Sequence, residues 1–159
     1  MITIEEIPVD RIDEFWAIHW EYLIRDGIIV DEEDKTYFQG EEYRGIIKMH
    51  MQREKDPHHM IYFVEAGQRI GAAQYNTYQS EDGKCFILDY WIFPEYRGNG
   101  MGHRCFVALE EYTKKDGAVY YEINCEKENA RRFWLDNGFA CCGVDEYDMP
   151  VLIKGAGKK

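Results

Sequence analysis

The densest chemistry in this sequence lies between Tyr90 and Arg104. Tyr90-Trp91-Ile92-Phe93 reads as the end of a strand, Arg97-Gly98-Asn99-Gly100-Met101-Gly102 as a turn, and the residues from Met101 onward as a helix. Glycines remove the side chains that would keep a ligand away from the backbone. The first amides of a helix have no internal partner, and the helix dipole adds positive potential at the same place. Together they make an anion cradle whose natural guest is a pyrophosphate. Glycines that only let a helix start pack tightly would look the same, so the flanking residues matter. A P-loop needs Lys-Ser/Thr after its last glycine, where this chain has His103 and Arg104. A dinucleotide fingerprint belongs near the first strand of a βαβ unit, whereas this turn follows several strands late in the chain. Both patterns fit poorly.

The elements that must hold the turn are legible from periodicity. Ile2 to Ile7 reads as a strand, and Asp10 can cap a helix with Ile12, Phe15, Trp16, His19, Tyr22 and Leu23 on one stripe. Asp31 to Asp34 reads as a solvated loop or helix start. A second helix carries Tyr43, Ile46, Ile47 and His50 and ends at Asp56-Pro57. Met60 to Ala66, Arg69 to Gln79 and Lys84 to Phe93 form an antiparallel meander, with Gly67 and Asp82-Gly83 at its turns. A helix with Met101, Cys105, Ala108, Leu109 and Tyr112 on one face stops at Gly117. Val119 to Cys125 is a strand, Asn129 to Asn137 a short helix, and Phe139 to Cys142 and Asp148 to Ile153 the last strands. The order β-α-α-β-β-β-α-β-α-β-β makes an α/β sandwich, one mixed, mostly antiparallel sheet with helices on both faces. We expect a single domain over residues 1–153 and a flexible tail over 154–159.

Within this frame the turn gains a specific meaning. Arg97, Gly100 and Gly102, preceded by Phe93-Pro94-Glu95-Tyr96, resemble motif A of the GNAT superfamily of N-acetyltransferases, in which a strand leads through Arg/Gln-x-x-Gly-x-Gly/Ala into a helix. Downstream, Ala130, Phe133, Trp134, Gly138 and Phe139 resemble motif B, Asn-x-x-Ala-x-x-Phe-Tyr-x-x-x-Gly-Phe. One helix and one strand separate the two, as in that family, and the element order agrees over the rest of the chain.

The resemblance implies acetyl-CoA as co-substrate, lying between two splayed parallel strands, the one ending at Phe93 and Val119 to Cys125. Backbone groups of Tyr90, Ile92 and Phe93 are expected along the acetyl and pantetheine arm. Amides of Gly98, Asn99, Gly100, Met101, Gly102 and His103, with the charge of Arg97, are expected at the pyrophosphate, and Asn129 and Trp134 on the opposite wall. Arg97, His103 and Arg104 cluster at one helix start, and Lys127, Arg131 and Arg132 at another, on a chain of net charge −11. An amine attacks the thioester directly, so a base must take its proton and a strand amide near Tyr90 must hold the oxyanion.

The chain departs from the family where protons are handled. The motif B tyrosine position holds Trp134, the motif B asparagine position holds Lys127, and Phe86 and Leu88 stand where a strand Glu or His is often found. Asp89 and Asn124 are therefore the catalytic candidates. Leu88-Asp89-Tyr90-Trp91-Ile92 is similar to the Glu-Asp-aromatic run of spermidine/spermine acetyltransferases, which makes Asp89 a base or an amine-binding acid. Tyr75, Tyr78 and Tyr147 are candidate proton donors. Cys125, with no Cys-His-Asp arrangement, reads as a buried thiol, and His19 and His50 read as core histidines, although one of them could reach the acceptor from the first two helices.

Composition bounds the alternatives. Nineteen Lys and Arg face 30 Asp and Glu, which argues against a general nucleic-acid binder and is compatible with a cationic small molecule or a basic peptide; the acceptor the resemblance implies is a small-molecule or protein amine. Five cysteines, an odd count without zinc spacing, predict free thiols and no metal. No apolar run reaches membrane-spanning length and the first residues are acidic, so no membrane partner and a cytoplasmic location are expected. By analogy with relatives, Phe139 to Ile153 is the expected face of a homodimer. The competing readings are a non-catalytic acyl-CoA-binding regulatory protein and a nucleotide-phosphate-binding module.

Overall fold

The computed structural model describes residues 1–155. Its seven strands are β1 (Ile2–Glu6), β2 (His58–Glu65), β3 (Gln68–Thr77), β4 (Lys84–Ile92), β5 (Tyr120–Asn124), β6 (Ala140–Val144) and β7 (Pro150–Lys154). They form one sheet in the order β1-β2-β3-β4-β5-β7-β6. Every neighbouring pair is antiparallel except β4 and β5.

Five helices cover the sheet: α1 (Ile12–Arg25), α2 (Glu32–Gln39), α3 (Glu41–Met51), α4 (Met101–Lys114) and α5 (Glu128–Asp136). α1 buries Ile12, Phe15, Trp16, His19 and Leu23, the three-and-four spacing that a helix presents on one face. With α3 it covers one side of the sheet, on Met60, Tyr62, Ala72 and Trp91. α4 and α5 cover the other side, where Cys105, Phe106, Leu109 and Trp134 meet Ile61, Phe63, Ile87 and Ile123. The expected α/β architecture is present with one more helix. The acidic run is the start of α2: Asp31 caps it by accepting from the Asp34 amide at 2.7 Å, and acids fill its first turn, where the dipole favours them.

The expected tail begins too early. Lys154 closes β7 opposite Tyr121, and its ammonium pairs with Glu110 at 2.9 Å. The remainder of that stretch, 156–159, lies outside the described residues.

Two irregularities in the sheet create the site. β4 and β5 pair only at Lys84–Tyr120, Cys85–Tyr121 and Phe86–Glu122. Further along, β4 stays with β3 through Ile92 and β5 with β7 through Asn124, so the two parallel strands diverge and the edge of β4 facing β5 has no strand partner among the described residues. The β3–β4 register also slips between Gln74 and Tyr75, leaving Leu88 as a bulge between Ile87 and Asp89. A bulge bends its strand and re-aims the next side chain.

Candidate active site

A cleft of about 960 Å³ opens where β4 and β5 part, bounded by α1, the turn before α4, and α5. Its floor is the free edge of β4 at Tyr90, Trp91 and Ile92. Side chains alternate along this edge. Tyr90 points toward α4 and α5, where its ring meets Trp134 edge-on at 5.0 Å and its hydroxyl donates to the Gly102 carbonyl. Burial holds that phenol well above its ordinary pKa. Asp89 and Trp91 point the other way, toward α1.

The turn before α4 is a string of left-handed residues. Gly98, Asn99 and Gly100 have φ of 100°, 55° and 73°, and a Cβ on Gly98 or Gly100 would enter open space. Successive residues of this kind turn amides outward into an anion-binding concavity. The Gly102 and His103 amides, in the first turn of α4, have no backbone partner among the described residues. Gly102 has a second duty: a Cβ there would lie 2.8 Å from the Phe133 ring, so glycine lets α4 approach α5. The cleft end at this turn therefore fits a polyanion by its main chain.

Behind Tyr22 and Trp91, which line the α1 side of the cleft, the polar groups are side chains. Asp89 Oδ2 receives the His19 Nε2 contact at 3.0 Å and the Gln74 amide at 2.5 Å. Gln74 accepts from His58 at 2.8 Å, and His58 meets Asn76 at 2.7 Å, so a buried polar chain runs along β3 beneath α1 and α3. Burial pushes the His58 pKa down. Asp89 Oδ1 has no protein partner among the described residues, and the side chain is 13% exposed.

The family model for the acetyltransferase (GNAT) family matches residues 12–139. The chain belongs to this family of acetyltransferases. PaiA N-acetyltransferase from Thermoplasma acidophilum, solved in complex with coenzyme A, superposes with a TM-score of 0.72 at 17% identity, over 98% of this chain and 99% of that one. An aminoglycoside acetyltransferase, AAC(6')-Ib, also solved with coenzyme A, gives 0.68 at 18% identity over 98% and 95%. An acetyltransferase from Salmonella typhimurium that modifies the N-terminal serine of ribosomal protein L7/L12 gives 0.61 at 15% over 97% and 94%. At these identities the likeness speaks for the fold. No curated protein matches the chain by sequence. Acetyl-CoA is the co-substrate of this acetyltransferase family, and the cradle and the open strand edge fit its pyrophosphate and its amide-bearing arm.

Ten of the residues expected to meet acetyl-CoA line the cleft: Tyr90, Ile92, Arg97, Gly98, Gly100, Met101, Gly102, His103, Asn129 and Trp134. Phe93 and Asn99 do not. The Phe93 amide is bonded back to Ile70 at 2.9 Å and its ring packs near Trp91, while Asn99 stands on the outside of the turn. Arg97 is engaged by protein: Nε donates to the Ile92 carbonyl at 2.7 Å and the guanidinium pairs with Asp26 at 2.7 Å. Lys127, at the motif B asparagine position, donates to the Asp26 and Gly27 carbonyls at 3.1 and 2.8 Å. The turn after α1 is thus strapped across the cleft by two cations. Arg131 and Arg132 do not line it.

Of the catalytic candidates, Asp89 lies on β4 beyond the last β4–β5 pair, next to Tyr90 and Trp91 of the cleft floor, but its own side chain does not line the cleft. Asn124 does not line the cleft; its amide donates to Asp145 at 3.1 Å and to the Pro150 carbonyl at 3.3 Å, tying β5 to the β6–β7 turn. None of the three candidate proton donors is in the cleft. Tyr75 is fully buried against His59, Tyr78 lies under Lys84 at a hairpin, and Tyr147 is 78% exposed. Burial raises the Cys125 thiol, which suits a packing role. Cys85 and Cys105 are likewise buried and pushed up to about 12, whereas Cys141 and Cys142 are exposed on β6. The sequence reading missed Tyr22, Asp26 and Gly27. The only signal was Tyr22 on the apolar stripe of α1, which packing alone explains.

Proposed function

We propose that this acetyltransferase transfers the acetyl group of acetyl-CoA to a primary amine, carried by a cationic small molecule or exposed on a protein, by direct attack on the thioester. One domain, reaching at least through Lys154 at the end of β7, carries the reaction.

The observation that supports this reading most is the Asp89 carboxylate at the strand split. Two hydrogen bonds converge on one oxygen and fix the group, while the other oxygen has no protein partner among the described residues. An incoming ammonium would meet that oxygen, give up one proton to it and become nucleophilic. The net charge of −11 draws cations to the protein, consistent with such an acceptor. In the same reading the Gly98, Gly100, Gly102 and His103 amides hold the pyrophosphate, while the Met101 amide is already bonded to the Gly98 carbonyl; the edge of β4 at Tyr90 and Ile92 pairs with the pantetheine arm, and an amide of that edge donates to the oxyanion.

Coenzyme A thiol release from acetyl-CoA over a panel of monoamines, polyamines, aminoglycosides and peptide N-termini tests the proposal. Release stimulated by one amine class, and absent in Gly100→Glu, is the expected result. Binding of acetyl-CoA with no stimulated release by any amine would instead favour the acyl-CoA-binding regulatory protein.

A further inference from the structure

Trp134 cannot donate a proton, so the hydroxyl that a motif B tyrosine would bring to the departing sulfur must come from elsewhere. Two tyrosines line the cleft, Tyr22 and Tyr90. The Tyr90 hydroxyl is committed to the Gly102 carbonyl. Tyr22 is different. It projects from the last turns of α1, its ring stacked on Trp91 at 4.3 Å with an interplanar angle of 8°. Its hydroxyl has no hydrogen bond to protein among the described residues and is not fully buried, and Tyr22 lines both the cleft and a smaller pocket beside Phe93 and Pro94. The Trp91 it stacks on lies on β4 beyond the last β4–β5 pair, and Asp26 and Arg97 line the same cleft, which sets the ring at the mouth of the split.

We propose that Tyr22 is the catalytic hydroxyl of this acetyltransferase, a hydrogen-bond donor to the coenzyme A sulfur supplied by α1 in place of the α5 tyrosine. The inference rests on the transfer reading above. Asp89 takes one proton from the ammonium, and the freed nitrogen pair forms the C–N bond as the carbonyl π pair moves to oxygen. When the adduct collapses, that pair returns, the C–S bond breaks and its electrons go to sulfur. Tyr22 passes its proton to the sulfur while receiving the remaining surplus proton of the adduct nitrogen, so the ring never carries charge. The products are the acetamide, coenzyme A thiol and one proton on Asp89. Burial, then the nearby carboxylates, raise the Tyr22 pKa, and a phenol so placed relays a proton without becoming phenolate.

Tyr22→Phe keeps the ring on Trp91 and removes only the hydroxyl. The decisive measurement needs no acceptor: ultraviolet titration of the thiol of bound coenzyme A, in wild type and Tyr22→Phe, each referenced to bound desulfo-coenzyme A. A donor at the sulfur stabilises the thiolate, so the bound thiol should titrate about one unit higher in the variant than in wild type. Superimposed titrations overturn the assignment even if acetyl transfer is real. Failure of both proteins to bind coenzyme A overturns it together with the acetyl-CoA site. With the amine that the panel identifies, Tyr22→Phe should lose about tenfold to a hundredfold in kcat with the KM for acetyl-CoA within about twofold. A raised KM with unchanged kcat would make Tyr22 a binding residue and contradict the proposal.

Discussion

The two ends of the cleft are made of different materials. At the α4 end the groups offered to a ligand are backbone amides, positioned by Gly98, Asn99 and Gly100 in left-handed conformations and by the start of a helix. At the α1 end they are side chains, Tyr22 in the lining with Asp89 and the histidines behind it, positioned by packing between residues distant in sequence; His19 and Asp89 are 70 apart. A main-chain site must announce itself locally, because only glycine-rich spacing produces that backbone. A side-chain site needs no local spacing, because the fold supplies the proximity. The first end should therefore hold the co-substrate, and the second should govern the acceptor and the protons.

The largest expected effect comes from breaking the main-chain end. Gly100→Glu places a side chain at φ 73°, a conformation costing about 1–2 kcal/mol for an L residue, and adds negative charge to the cradle. Acetyl-CoA should no longer raise the melting temperature, and turnover should vanish. If Gly100→Glu binds acetyl-CoA normally, the cradle is not the anion site.

Breaking the side-chain end should leave binding intact. Asp89→Asn keeps an acceptor oxygen for His19 and Gln74 but cannot take a proton. We expect a fall in kcat of about 10²–10⁴-fold with acetyl-CoA binding unchanged, read by steady-state kinetics beside calorimetry. Loss of both together would mean that the two ends are not separable.

A smaller effect should come from the strap that joins them. Asp26 competes with a phosphate for Arg97, and the pair is partly exposed, in a class worth about 0.2–1 kcal/mol. Asp26→Asn should therefore tighten coenzyme A by up to about fivefold, measured by calorimetry. A weakened affinity would show that the strap helps to hold the ligand.

The smallest effect concerns the buried polar chain. His58 has its pKa lowered below 6.5 in the folded protein because burial disfavours its charged form. The unfolded chain therefore binds the extra proton first. The stability linked to this group is present above pH 6.5 and is lost as pH falls from there toward the folded pKa. His58→Gln should flatten that acid-side decline in thermal melts between about pH 5 and 6.5. An unchanged pH slope would mean that His58 is charged within the fold.

The same contrast explains what could be read from the sequence. Six strands and four of the five helices follow from a buried face, whereas β6, exposed throughout, follows only from its place after the glycine that ends α5. α2 was missed as an element in its own right: it buries no residue, so it has no apolar stripe to reveal it, and only the Asp31 cap marks its start. Ten of the twelve co-substrate residues expected from motif spacing line the cleft, since that spacing encodes backbone shape. Phe93 and Asn99 belong to the same stretch but face away from the cleft, and spacing does not tell which side of a turn a residue presents. Asn124 and the candidate tyrosines went astray for a related reason. Residue type shows that a group can handle a proton but not whether the fold has already engaged it, as Asp145 and Pro150 engage Asn124. Tyr22 was hidden because a residue on an apolar helix stripe looks like core, although the tip of a tyrosine there can reach solvent.

One measurement bears on the separation of the two ends most directly: calorimetric titration of acetyl-CoA into wild type, Gly100→Glu and Asp89→Asn, with amine-stimulated thiol release followed on the same samples. The account predicts binding and turnover in wild type, neither in Gly100→Glu, and binding without turnover in Asp89→Asn. Normal binding by Gly100→Glu, or undiminished turnover by Asp89→Asn, would contradict it.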